Sequence, residues 1–140
     1  MSTVIELIEA GAKRLEDAGV AFGHGTANAF DEAAWLVLWR LKQPLDDIDA
    51  VADTPVSPAD AAKVVALIDE RIATRKPAAY LTKEAWLQGV PFYVDERAIV
   101  PRSFIAELIA DGSIDYWLGE HTQRVLDLCT GNGSLAVLAA

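Results

Sequence analysis

Pro77 divides this sequence into two stretches of different grain. Before it, capping residues, apolar positions spaced by about four and Gly or Pro stops recur, the pattern of short amphipathic helices. After it come branched and aromatic residues, then a glycine turn. A chain with this break is expected to build a helical unit first and something sheet-like second.

The run Ser57 to Pro77 carries the clearest helix signals. Ser57 can cap it, Pro58 suits the first helical position, and Asp60 complements the positive end of the helix dipole. Val64, Ile68 and Ile72 are spaced by four, and Arg71, Arg75 and Lys76 gather at the far end, where cations most simply complement the C-terminus. Thr3 and Glu6 form a capping box for an earlier helix, with Val4, Ile8, Leu15 and Ala18 near one face before Gly19. "AFGHGTAN" reads as a loop, and Asn28 caps a second helix carrying Trp35, Leu38, Trp39 and Leu41, which ends before Pro44. "PLDDIDAVADTP" has room for a short helical turn. Residues 1–77 are therefore expected to be all-helical.

"EAWLQGVPFYVDERAIVP" predicts a β-hairpin, with Asp95–Glu96 as the turn between two extended runs. "RSFIAELIADG" returns to helix, capped at Ser103 and ended at Gly112, and "SIDYWLGEHTQ" adds a turn or two. "RVLDLC" predicts a buried strand. It leads through Asp127 into Gly131-x-Gly133 and a helix start, the arrangement in which backbone N–H groups and a helix N-terminus face a ligand. The third fingerprint position is Ala136, a small substitute for glycine. The turn alone is a weak signal, since a tight strand-to-helix connection without a ligand looks the same.

Composition narrows the classes. Of 140 residues, 52% are hydrophobic and four are tryptophan, so most of the chain should fold around a core. A net charge of −9 disfavours direct nucleic-acid binding, which needs clustered Lys and Arg. The single Cys129 allows no intrachain disulfide. Neither a basic leader with an apolar signal core nor a membrane-spanning run is present, so a soluble cytoplasmic protein is the expectation. Cys129 has no visible base partner, and a strand-end position suits a small packed residue. His24 and His121 are too isolated for a metal site, and no metal is expected. Trp35 and Trp39, one helical turn apart, read as core.

Two longer motifs carry a family resemblance. "VLDLCTGNGSLAVLAA" resembles motif I of class I S-adenosylmethionine-dependent methyltransferases in the form used by HemK-like glutamine methyltransferases. Upstream, Arg75, Pro77, Tyr80, Phe92, Val94, Pro101 and Arg102 match the Arg-x-Pro-x-x-Tyr and "F-x-V…PR" pattern that leads into the catalytic domain of that family. The likeness covers essentially the whole chain. "VPRS-x-IAELI", "AAYLT", "FYVDER" and "DLCTGNGS" are closer to the branch that methylates a glutamine of large-subunit ribosomal protein number three than to the release-factor branch, which reads "IPRPETE".

The resemblance implies a helical substrate-recognition domain over residues 1–77, a β-hairpin linker over 78–102, and over 103–140 the truncated start of an α/β, Rossmann-like methyltransferase domain. It implies S-adenosyl-L-methionine as cofactor, with Asp127, Thr130, Gly131, Asn132 and Gly133 lining its methionine end. Pro101 and Arg102 would sit beside it or shape its entrance, and Phe92 would pack near the junction. For Arg102, after a proline at a domain junction, structural and functional readings both stand. The implied partner is a large-subunit ribosomal protein. Methyl transfer to a side-chain amide nitrogen needs positioning and removal of water more than a strong base.

The chain departs from the family in lacking Asn-Pro-Pro-Tyr, which holds the substrate amide, and the acidic residue that takes the ribose hydroxyls. It is therefore expected to be an N-terminal fragment, inactive by itself, with no catalytic residue of its own. Its lone strand is expected to be pinned against the hairpin or a second copy of the chain. The competing readings are a release-factor methyltransferase, a non-enzymatic helical interaction module, and, on the glycine turn alone, a nicotinamide-dependent oxidoreductase.

Overall fold

The computed structural model describes residues 1–140, which divide into two compact units, Met1–Thr82 and Lys83–Ala140. The first is all helical: α1 (Val4–Asp17), α2 (Ala29–Leu41), α3 (Ile48–Val51), α4 (Pro58–Thr74) and α5 (Ala78–Thr82). The second holds β1 (Glu84–Leu87), β2 (Val90–Tyr93), α6 (Phe104–Ala110), a 3-10 turn at Asp115–Trp117 and α7 (Ser134–Ala139).

Local chemistry explains the helix starts. Thr3 and Glu6 make both halves of a capping box on α1. The next free donors at that end are taken by backbone carbonyls, Val4 N–H donating to Thr54 (3.1 Å) and Ile5 N–H to Ala52 (3.0 Å). The segment before α4 is thereby fastened to the start of α1. Asn28 caps α2 through Asp31 N–H, and Ser57 caps α4 through Asp60 N–H, with Pro58 in the first turn.

Burial follows the expected stripes in α1 and α4, but in α2 it centres on Leu36, Val37 and Leu38. Of the positions expected there only Leu38 is fully buried; Trp35 and Leu41 pack against the core from its edge, and Trp39 is half-buried. Val4, Ile8 and Leu15 of α1, Leu36, Val37 and Leu38 of α2, and Val64 and Ile68 of α4 form the core, with Trp35 and Ile72 packed against it. Gly11 lies where the three helices converge: a Cβ there would stand 3.4 Å from both Ala33 Cβ and Ile68 Cδ1.

One helix-end cation is used differently from the expectation. Arg71 is 2% exposed and pairs with Glu32 of α2 at 2.5 Å, also donating to the Ala21 carbonyl at 2.8 Å. The second Glu32 oxygen accepts from the Thr26 hydroxyl at 2.8 Å. Arg71 therefore ties α4 to α2 and to the loop before it, rather than soothing its own helix end. Arg75 does serve a helix C-terminus, but that of α1, donating to the Ala18 carbonyl at 2.8 Å.

In the second unit, β1 and β2 are antiparallel, with Glu84 opposite Tyr93 and Leu87 opposite Val90. The hairpin turn is Gln88–Gly89, not Asp95–Glu96. Both central residues have positive φ (51° and 73°), the primed geometry whose twist suits paired strands. Asp95 does make a turn, but it follows β2: Ala98 N–H donates to its carbonyl at 3.1 Å. Residues 78–82, placed in the linker from sequence, are the helix α5. Ser103 caps α6 and Gly112, at φ 75°, follows its end, as expected.

The buried strand expected at "RVLDLC" is absent. Residues 123–126 have no regular structure, and Val125, Leu126 and Leu128 are exposed. A strand exists through its ladder, and parallel strands of α/β sheets need partners beside them and cover on both faces. The hairpin is the only sheet in residues 1–140. The strand-edge route to self-association therefore has no strand behind it here. Cys129 is likewise exposed, at φ 61°, not a small packed residue at a strand end.

Candidate functional site

The glycine turn is built as the sequence suggests even though the strand before it is not. Gly131 and Gly133 have φ of 58° and 82°, left-handed values that side chains with a Cβ adopt only with strain. Gly133 N–H donates to the Thr130 carbonyl at 2.9 Å and closes the turn, and Gly133 then serves as N-cap of α7. A Cβ on Gly133 would meet nothing within 4 Å, and one on Gly131 only Ile99 Cγ2 at 3.9 Å. The path of the backbone favours glycine at both positions, and the two glycines leave open space over the turn.

The turn is docked on the segment around β2. Asn132 Nδ2 donates to the Tyr93 carbonyl at 3.4 Å, and its Oδ1 accepts from Ser134 N–H at 3.3 Å. The tail is thus half as expected: pinned to the hairpin through the glycine turn, bare over Val125, Leu126 and Leu128.

Between turn and hairpin lies a cleft of about 510 Å³. Of the residues singled out from sequence, Phe92, Gly131 and Asn132 line it. Asp127, Thr130, Gly133, Pro101 and Arg102 do not. Pro101 is buried, while Arg102 and Thr130 are exposed. Asp127 is half-buried, and its Oδ2 is enclosed with no hydrogen-bond partner. An enclosed carboxylate oxygen without a donor is costly to leave so. That oxygen does not open onto the cleft; the glycine backbone, which no Cβ covers, is what leaves room for a ligand's close approach.

The sequence reading missed Tyr93, Val94, Asp95, Arg97 and Ala98, which line the same cleft. The signal was present in "YVDER", where Asp-x-Arg after a strand forms a side-chain-closed turn. Asp95 accepts from Arg97 backbone N–H (3.0 Å), Arg97 Nε (2.9 and 3.1 Å), Arg97 Nη2 (2.7 Å) and the Tyr93 hydroxyl (3.1 Å). The Arg97 guanidinium, with that backbone N–H and the Tyr93 hydroxyl, holds the Asp95 carboxyl far below the usual carboxylate range, so it is ionised at any physiological pH.

Comparison with known proteins converges on one group. No family model matches the chain. It is 51% identical over 139 residues to the ribosomal protein uL3 glutamine methyltransferase of Burkholderia pseudomallei (strain K96243), covering 99% of this chain and 45% of that protein. The proteins of the same name from Bordetella pertussis (50% identity; 100% of this chain, 47% of that protein) and Neisseria meningitidis serogroup B (44%; 100% and 46%) are similar over the same extent. The chain thus spans less than half the length of the curated relatives it matches. Within that span, both motifs singled out from sequence lie inside the aligned residues, and the chain belongs to the family of the ribosomal protein uL3 glutamine methyltransferases.

Proposed function

We propose that this chain supplies the helical region and the first donor-binding segment of an S-adenosylmethionine-dependent methyltransferase, and that the whole protein methylates the side-chain amide nitrogen of a glutamine in large-subunit ribosomal protein uL3. The observation that carries the reading is the glycine turn: left-handed Gly131 and Gly133 leave uncovered backbone beside a cleft, in a chain 44–51% identical to proteins named for that activity. In this reading residues 1–77 recognise the protein substrate, 78–102 connect, and 103–140 begin the donor-binding domain. The cytoplasm, where ribosomal proteins are made, is the proposed location; no helix is long and apolar enough to cross a membrane.

When bound, S-adenosylmethionine supplies an activated methyl group. The chain's own part is to hold and orient. Gly131 and Asn132 line the cleft beside the ligand's amino-acid end, Asp127 stands behind the turn with its Oδ2 enclosed, and Phe92 contributes an apolar wall that sheds water. Thr130 and Gly133 fix the turn through their mutual hydrogen bond, and Pro101 and Arg102 shape the approach to it. No catalytic residue is assigned within residues 1–140.

The test is calorimetry of the intact protein with S-adenosylhomocysteine, followed by a methyl-transfer assay on purified uL3 with a release factor as the competing substrate. Heat of binding and label on a uL3 glutamine are expected. Label on the release factor alone would move the assignment to the other branch. Binding of a uL3 peptide with no cofactor response would leave a non-enzymatic interaction module.

A further inference from the structure

The cleft beside the glycine turn has a single cationic lining residue, Arg97. Its guanidinium is braced on one edge only. Nε and Nη2 reach the two oxygens of Asp95, and the backbone N–H of Arg97 closes onto the same carboxylate, so the side chain is set in one orientation. Asp95 itself is largely covered, while the Arg97 side chain is 84% exposed. Nη1 makes no hydrogen bond, and that edge keeps the paired donors that match a carboxylate. The only carboxylate lining the cleft is the one already neutralised by Arg97, and the Asn132 side chain is committed to Tyr93 and Ser134. The brace fixes the guanidinium while leaving its Nη1 edge open to a second anion.

We propose that Arg97, braced by Asp95, receives a carboxylate at the mouth of the cleft, and that this is the carboxylate of the methyl donor's amino-acid end. The proposal rests on the donor-binding reading of the glycine turn. Because the guanidinium is already ordered, little side-chain freedom is lost on binding. Asp95 is then a positioning residue, acting only through Arg97.

The experiment is calorimetry of the intact protein and of its Arg97→Met and Asp95→Asn variants, with two probes: S-adenosylhomocysteine, and the same thioether lacking its carboxylate. Arg97→Met is expected to weaken S-adenosylhomocysteine by about tenfold, the size of one charge-assisted hydrogen bond. Asp95→Asn should weaken it less, and the carboxylate-free probe should bind wild type and both variants alike. Unchanged melting of Arg97→Met checks that the fold is intact. Equal S-adenosylhomocysteine affinity in wild type and Arg97→Met overturns the carboxylate role while leaving the donor reading standing, and so does an equal loss for both probes. Absence of any binding to wild type overturns the donor reading and this proposal with it.

Discussion

Arg71 and Glu32, 39 residues apart in sequence, meet at 2.5 Å inside the helical unit, 2% and 3% exposed. Two charges so enclosed are tolerable only because further hydrogen bonds serve both ends, Arg71 Nη2 donating to the Ala21 carbonyl and the second Glu32 oxygen accepting from the Thr26 hydroxyl. Removing one partner strands the other. Arg71→Met is expected to lower unfolding free energy by about 3–5 kcal/mol, while the double variant Arg71→Met/Glu32→Leu should recover most of the loss. Urea unfolding of both measures it. Losses that simply add would mean that the two charges are not coupled.

Gly11 gives a prediction of the opposite sign. Glycine inside a helix costs about 1 kcal/mol relative to alanine, and a Cβ at this position would reach Ala33 and Ile68 only at contact distance. Gly11→Ala should therefore raise the melting temperature slightly. Gly11→Leu drives a branched chain between three helices and should destabilise by about 1–3 kcal/mol. Thermal unfolding of the two variants separates close approach from mere helix propensity. A destabilised alanine variant would mean that the three helices are packed too tightly for even one methyl.

The helical unit was legible because its signals are local. Thr3, Asn28 and Ser57 cap with their own neighbours three residues on, and the apolar stripes need only a helix period to be seen. What escaped depends on distance. Arg71 could not be matched to Glu32 from sequence, because the pair forms only after α2 and α4 pack. The strand at Val125–Leu128 failed for the converse reason, its apolar run being a promise that only a neighbouring strand can redeem. In the cleft, Gly131 and Asn132 were readable from the turn, whereas Asp95 was absorbed into the expected Asp95–Glu96 hairpin turn and Arg97 stood outside any motif, since the true hairpin turn is Gln88–Gly89.

That turn is testable by itself. Gly89 stands at φ 73° with open space around it, so alanine there meets no clash and bears only the left-handed strain, about 1–2 kcal/mol. Gln88, at φ 51°, already bears it; Gln88→Asn should relieve some, since asparagine favours this region. Hydrogen-exchange protection across Glu84–Tyr93 is expected to fall in Gly89→Ala and rise in Gln88→Asn. If the real turn were at Asp95–Glu96, neither change would register.

Asp95 offers a pH signature. Its carboxyl lies far below the ordinary range, first because Arg97 hydrogen-bonds it and then through the Arg97 backbone N–H and the Tyr93 hydroxyl. A depressed folded-state value stabilises the fold above the unfolded carboxyl value near 3.9, and that contribution disappears as pH falls through the folded value. Carboxyl-detected NMR should find Asp95 still ionised at a pH where an unperturbed aspartate is protonated. In Arg97→Met the titration should move up towards 3.9. Titration of Asp95 at the ordinary value in wild type would dissolve the brace and, with it, the ordered guanidinium.

The glycine turn separates folding from binding most cleanly at Gly133. Its φ of 82° means that any side chain adds strain, yet nothing lies within 4 Å of a Cβ there, so Gly133→Ala should fold with a loss of only about 1–2 kcal/mol. The space such a Cβ enters is the space over the turn, where a ligand's close approach to backbone N–H groups is proposed. Gly133→Ala should therefore weaken S-adenosylhomocysteine far more than it lowers the melting temperature, and Gly133→Val should abolish binding. Gly89→Ala is the matched control: similar strain at an equally open left-handed glycine, but in the hairpin turn rather than the glycine turn proposed to meet the ligand, so that its binding heat should match wild type. Should Gly133→Ala and Gly89→Ala bind the ligand equally well, the turn is a connection between a loop and a helix, and the open space above it has no occupant.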